Sequence, residues 1–329
     1  MINLIQIAVG NLRNSVFIIG ILFSSLVIGQ RTVEAEIDTS FNYEFTPVNF
    51  EHNKVILVDM GHNTIYSSPS GRITSREMFR ILDQDGFDVQ FTQSQLDSAY
   101  LQSVRPDLLL LHGMPNDAIK LANDERTEYL YISPLRTEEV ESIAKYVFNG
   151  GGLLVFLSHF PGGSGALPLM EAFGVKFRDG YSNQVDYHTS DGGICGHFLM
   201  DEKNRMLNKR HPVFTSSLDS TTLPKKVRFY CGAAVFRNPA DVILPFPQGT
   251  INSTPTDGID FIEETSSSYA GMIGFDYGKG RVVVCTDQGI FRSLDLLIKG
   301  ERVAVTIHDP KADNAGLLIN VIRWLTKLQ

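Results

Sequence analysis

The feature that most constrains this chain is a set of apolar runs too continuous to leave one side wet. "KVILVDM" (Lys54–Met60), "DLLLL" (Asp107–Leu111) and "GGGLLVFL" (Gly150–Leu157) do not alternate with polar residues. Strands with one solvated face alternate, so these runs read as strands covered on both faces. Helical patterns separate them. "ITSREMFRILDQDG" places Met78, Phe79, Ile81 and Leu82 on one face and stops at Gly86. "SQLDSAYLQS" reads as a short helix capped by Ser94, following a strand "FDVQFT". "RTEEVESIAKYVFNGG" has a Thr137 cap, acids at Glu138 and Glu139 in its first turn, and a glycine end. "GALPLMEAFGV" is one more helix. Strand–helix alternation of this kind predicts βαβ units, hence an α/β chain with a parallel sheet between two helical layers.

Later strands are "DVILPF", "AGMIGFDYG" and "GRVVVCTD", the last two joined by "YGKG" as a hairpin turn. "KADNAGLLINVIRWLTKL" closes the chain as an amphipathic helix capped by Asp313 or Asn314. Residues 178–238, rich in glycine, aspartate and aromatics, read as a β-rich or irregular insertion packed over the sheet. At the other end, Arg13 precedes the apolar run "SVFIIGILFSSLVIG", which has the length of an export signal and is short for a membrane span. "VEA" supplies small residues for cleavage, with Gly29 a second position. The division expected is a signal peptide at 1–35, an N-terminal arm at 36–53, and an α/β domain at 54–329 with the insertion at about 178–238. The expected location is the periplasm, or secretion. A membrane contact is expected only through an uncleaved signal segment.

The formal net charge is −8, and no lysine–arginine cluster would neutralise phosphates, which argues against a nucleic-acid partner. Of three cysteines, Cys285 falls in an apolar strand and reads as a core residue, while Cys195 and Cys231 are able to pair.

In an open parallel sheet, ligands bind beyond the carboxyl ends of the strands. Polar residues gather there. Asp59 lies inside the end of the first run and His62 and Asn63 follow it, His112 follows the next, and Ser158 and His159 the third. Asp287, Gln288 and Arg292 follow "RVVVCT". Three of eight histidines thus fall at one sheet edge, where imidazoles supply acid and base near neutral pH. Asp59 would orient His62. The bland reading gives each histidine a loop carbonyl as partner. Three imidazoles and a carboxylate would also suit zinc, as would His188, Asp191, Cys195 and His197, but neither set has a known ligand spacing. No cofactor is therefore expected. Ser158 at a strand-to-loop turn lacks the glycines of a nucleophile elbow.

The order "VILVDMGHN", "DLLLLHG", helix, "NGGGLLVFLSH", "HPVF", "GKGRVVVCTDQGIF" and "NAGLLINVIRWL" resembles class I glutamine amidotransferase-like domains, in particular an exported, trehalose-utilisation-like branch. The resemblance spans most of 54–328, with the insertion poorly matched. It implies a three-layer, flavodoxin-like fold with a C-terminal helix. The amidotransferases of the family carry a cysteine at the place Ser158 occupies, so the resemblance does not extend to glutamine hydrolysis. Related exported domains accompany polysaccharide breakdown, and one such setting, ulvan degradation, includes an oligosaccharide dehydratase; that likeness is one of context. The expectation is an exported enzyme acting on uronic-acid oligosaccharides by acid–base elimination. His62, His112, His159 and Asp59 would be catalytic. Asn63, Ser158, Tyr187, His188, Asp287, Gln288 and Arg292 would bind substrate, with Arg72 and Tyr66 as further candidates. A non-catalytic carbohydrate- or protein-binding domain is the alternative, and a serine or metal hydrolase a third.

Overall fold

The computed structural model describes residues 35–36, 40–62, 64, 67, 75–113, 117–123, 126–160, 162–184, 196–255, 261–265, 269–292, 295–298, 301–304 and 307–328. The signal segment and the candidates Asn63, Tyr187 and His188 lie outside these residues, as do Tyr66, Arg72, Asp191 and Cys195. No helix among the described residues is long and apolar enough to cross a membrane.

The centre is a nine-stranded sheet. Its strands are β1 (Val55–Asp59), β2 (Asp88–Thr92), β3 (Leu108–His112), β4 (Gly152–Phe156), β5 (Lys176–Arg178), β6 (Ala234–Phe236), β7 (Val242–Pro245), β8 (Ala270–Tyr277) and β9 (Gly280–Cys285). The order is β2-β1-β3-β4-β9-β8-β6-β5, with β7 also paired to β8. The first five strands are parallel. Among themselves they run in the flavodoxin-like order 2-1-3-4-5. The β8–β9 hairpin turns at Gly278, whose φ of +60° suits glycine.

Among the described residues the α-helices are α1 (Arg76–Gln84), α2 (Ser98–Val104), α3 (Thr137–Phe148), α4 (Leu167–Ala172), α5 (Pro212–Thr215) and α6 (Asn314–Leu325). Two apolar layers follow from the period of two within each strand. Ile56, Val58, Leu108, Leu110, Leu154 and Phe156 face α1 and α6. Leu57, Leu109, Leu111, Leu153 and Val155 face α2, α3 and α4. All four leucines of β3 are fully buried, each contributing about 1.5–3 kcal/mol. On α3, Val140, Ile143 and Val147 recur at helical spacing and pack on the second layer.

Four local expectations are corrected. Asp97, not Ser94, caps α2, because its carboxylate accepts the Tyr100 N–H. Thr137 is the first helical residue of α3, and the carboxylate of Glu139 reaches back to the Arg136 N–H. Neither Asp313 nor Asn314 caps α6 with its side chain. Asp313 accepts the Lys225 and Lys226 amides, and Asn314 bonds Arg228 on both backbone groups, which ties the helix to the Lys226–Tyr230 strand. The 178–238 stretch does not simply lie over the sheet. β6 is one of the central strands, and His197–Asp201 pairs antiparallel with Lys226–Tyr230. Phe198, Met200, Val227 and Phe229 of that pair are fully buried in the α1/α6 layer. Cys231 is disulfide-bonded and Cys285 is a buried free thiol.

Candidate functional site

The strand-end residues divide into three sets with separate partners. In the first, Asp59 follows Leu57 by two residues and so faces α3. Its Oδ1 accepts the Gly61 amide and the His62 Nδ1–H, both at 3.0 Å. The opposite ring nitrogen, Nε2, donates to Glu139 Oε1 at 3.0 Å. Glu139 also accepts the Leu96 amide at 2.9 Å and the Arg136 amide at 3.0 Å. An imidazole donating from both nitrogens to carboxylates is an imidazolium. Burial works against that charge, but the Asp59 hydrogen bond and the two carboxylates outweigh it, so the His62 pKa is raised. Burial also opposes ionisation of Glu139, yet its backbone bonds to Arg136 and Leu96, the Arg136 side chain and His62 hold its pKa below the usual value. Among the described residues, Asp59 Oδ2 is buried without a hydrogen-bond partner.

In the second set, His112 follows Leu110 by two residues and so faces α1 and α6, on the other side of the sheet from Asp59. Its Nε2–H donates to the Gln288 carbonyl at 2.8 Å. That leaves Nδ1 as acceptor for the Ser75 hydroxyl at 3.0 Å. The ring lies 4.5 Å from the Phe156 ring. Complete burial, with a smaller effect from Arg292, pushes the pKa down to about 3 against the raising effect of the Gln288 bond. His112 is a neutral imidazole in one fixed tautomer. Asp287 belongs to this set. Its Oδ2 accepts the Tyr230 amide at 2.8 Å and its Oδ1 the Gly289 amide at 2.7 Å. Burial nonetheless raises its pKa to about 7, against those bonds and Arg292.

The third set lies beyond β4. Ser158 is buried, and among the described residues no imidazole bonds its hydroxyl. His159 donates Nδ1–H to the Phe160 carbonyl at 2.8 Å and stacks on Tyr181 with ring centroids 4.8 Å apart. The Phe160 amide bonds the Gly180 carbonyl at 3.1 Å, which brings this loop against the segment after β5. Asp179 sits there, its backbone carbonyl accepting the Thr254 hydroxyl at 2.8 Å. Among the described residues its Oδ1 is buried without a partner, and burial lifts its pKa to about 7.

The structure thus joins Asp59 to His62, and His112 to Asp287, Gln288 and Arg292, while Ser158 and His159 stand with Tyr181 and Asp179. Glu139, Ser75, Asp179 and Tyr181 were absent from the sequence-based set. Glu139 had been read only as a first-turn acid, although an acid at that helix position is placed to reach back over the helix start. Asp179 follows an antiparallel strand, so the parallel-sheet rule gives no signal for it. Among the described residues no three His, Cys, Asp or Glu side chains group as metal ligands. A groove of about 490 Å³ lies at the opposite, amino-terminal edge of β3 and β4, between α2 and α3. Pro106 and Gly150 line it, and none of the strand-end residues does. The position of the acid–base groups, not this volume, defines the candidate site.

No protein-family model matches the chain, and no curated protein sequence does. Solved structures do. The mmIFT52 N-terminal domain is 14% identical with a TM-score of 0.53, over 82% of this chain and 97% of that domain. A ThuA-like protein from Parabacteroides merdae ATCC 43184 is 17% identical with a TM-score of 0.39, over 86% and 91% of the two chains. Another from Bacteroides uniformis ATCC 8492 is 14% identical with a TM-score of 0.40, over 87% and 94%. At these identities the first likeness speaks to the fold alone, and the fold it shares is the mixed α/β arrangement described above.

Proposed function

We propose that the chain is a non-catalytic, carbohydrate-binding module of amidotransferase-like fold, working in an oxidising compartment outside the cytoplasm. The observation that carries this reading is the separation of the three imidazoles into three hydrogen-bonded sets. His62 and His112 lie on opposite faces of the sheet with both ring nitrogens of each committed. Neither is placed to take a proton from a shared substrate without first giving up a partner. The binding surface in this reading is the stacked pair His159 and Tyr181, with Asp179 two residues before Tyr181. Sugar C–H faces pack on aromatic rings, and a carboxyl titrating near neutrality bonds hydroxyls as donor or acceptor. The disulfide at Cys231 and the apolar N-terminal segment support export.

Calorimetric titration with neutral and uronic-acid oligosaccharides tests the reading. Binding without any new product by mass spectrometry is expected, and Tyr181→Ala should weaken it by about tenfold. Turnover of any oligosaccharide would overturn the module reading. The eliminating enzyme keeps one observation in its favour: the Asp179 carboxyl, shifted to about 7 by burial, precedes Gly180, whose carbonyl accepts the Phe160 amide of the His159 loop. If product does form, with the ultraviolet absorbance of a conjugated uronate, Asp179→Asn should abolish it.

A further inference from the structure

A second groove, of about 700 Å³, runs between the 202–210 turn and the Phe236–Pro245 segment, and shares no lining residue with the three strand-end sets. Its floor is apolar, with Leu207, Phe236 and Val242. Its rim carries Arg205, Lys209 and Arg210. Lys209 is 3.1 Å from Glu202, so that pair neutralises itself. The guanidinium groups of Arg205 and Arg210 make no hydrogen bond or ion pair among the described residues. In a chain of net charge −8, two unopposed cations above an apolar floor are a local reversal of sign.

Both arginines sit on hydrogen-bonded turns. Arg205 has φ of +60°, a conformation costly for a residue with a Cβ. A local network keeps it there. The Arg205 amide donates to the Glu202 carbonyl at 3.1 Å, and Asn204 Oδ1 accepts the Asp201 and Met206 amides. Asp201 Oδ1 in turn accepts the Asn204 amide at 2.8 Å. The Arg210 amide donates to Asn208 Oδ1 at 3.3 Å, while Asn208 Nδ2 anchors to the Val242 carbonyl of the groove wall at 2.7 Å. Strain held in place by surrounding bonds points to a side chain being positioned.

We infer that this groove binds an anionic amphiphile, a small molecule with a carboxylate or phosphate head on an apolar body. Guanidinium forks match both head groups. The floor removes the apolar body from water, and the volume lies in the range of small-ligand sites. The site is independent of the carbohydrate-binding surface.

Titration of the full chain with dodecyl phosphate, below its micellar concentration, tests this. The wild type should bind dodecyl phosphate at least about tenfold more tightly than the uncharged dodecyl maltoside. The Arg205→Gln/Arg210→Gln variant should lose about tenfold in affinity for the phosphate while its thermal midpoint stays unchanged. Comparing the two proteins isolates the groove from the apolar N-terminal segment, which both carry. Absence of binding, equal binding of the uncharged amphiphile, or equal affinity in the variant would overturn the inference. So would capture of an acidic peptide in place of dodecyl phosphate, which would make the surface a protein-docking site. Single Arg205→Gln and Arg210→Gln variants keep the test open if the double variant fails to fold.

Discussion

His62 and His112 are both buried at strand ends, yet their surroundings drive them in opposite directions. His62 is held charged by Asp59 and Glu139 against the cost of burial. A raised histidine pKa contributes stability that is complete below the unfolded value, near 6.5, and is lost as pH rises through the folded value. The lowered pKa of Glu139 contributes above its unfolded value, near 4.5, and is lost as pH falls. Their ion pair is therefore strongest between those two values. Glu139→Gln should lower the His62 pKa in a proton NMR titration and should cost more stability at pH 6 than at pH 9. An unmoved His62 resonance would remove Glu139 from that role. His112 obeys the opposite sign. Its pKa near 3 lies below the unfolded value of 6.5, so the unfolded chain binds the extra proton between the two and stability falls as pH drops through that range. His112→Phe, which keeps a ring against Phe156, should cost about 1–3 kcal/mol at pH 7 by removing the buried hydrogen bonds to the Gln288 carbonyl and the Ser75 hydroxyl. In exchange it should flatten this acid limb in urea titrations at stepped pH. A limb as steep as in the wild type would assign acid sensitivity to other groups.

At the scale of elements, α1, α6 and the N-terminal arm are locked by one buried ion pair. Arg323 of α6 donates Nε–H to Asp85 Oδ2 at 2.9 Å and Nη2–H to Asp85 Oδ1 at 2.8 Å, with both side chains essentially inaccessible. The same Nη2 reaches the Thr46 carbonyl at 2.7 Å, and Asp85 Oδ1 accepts the Val48 amide, so the arm is stitched to both helices. Removing one partner leaves the other charge buried, which costs about 3–5 kcal/mol. Asp85→Asn should show that loss in urea unfolding. The double change Asp85→Leu/Arg323→Met should recover much of it, because no buried charge is then left over. Equal losses in the single and double variants would show that packing, not charge, is at issue. None of this was legible in the sequence, where Asp85 reads as a helix-end residue and Arg323 as the polar face of an amphipathic helix. The strands were legible for a definite reason. Ile56–Val58, Leu108–Leu111 and Gly152–Phe156 are covered on both faces, and apolar residues fill those positions, with Asp59 and His112 the buried polar ends of two of the strands. The caps were not, because Ser94, Asp97 and Thr137 are all competent, and the choice depends on where the preceding chain enters.

For the whole molecule, the limit of the sequence was the relation between strands. Period two places Asp59 with Leu57 and His112 with Leu110, but the chain does not say that these two parities face opposite layers. That follows from the register, in which Leu57 pairs with Leu109 and Val58 with Leu110. The edge of the sheet was readable, and the face was not, so three histidines at one edge looked like one site. The same distinction governs the cysteines. Cys285 lies inside β9 in the α1/α6 layer, where burial and the nearby Asp287 push its thiol pKa well up and keep it unreactive. Cys231 closes the Lys226–Tyr230 strand at φ of +58° and is disulfide-bonded. A disulfide restrains the unfolded chain and is kept only under oxidising conditions. Cys231→Ser should therefore lower the unfolding free energy by about 2–4 kcal/mol. Reductant should bring the wild type down to the same level and leave the variant unmoved. Cys285→Ala, by contrast, should remain as sensitive to reductant as the wild type. If the wild-type urea midpoint ignores reductant, the bond does not support the fold, and the export reading loses the one covalent feature that favours it.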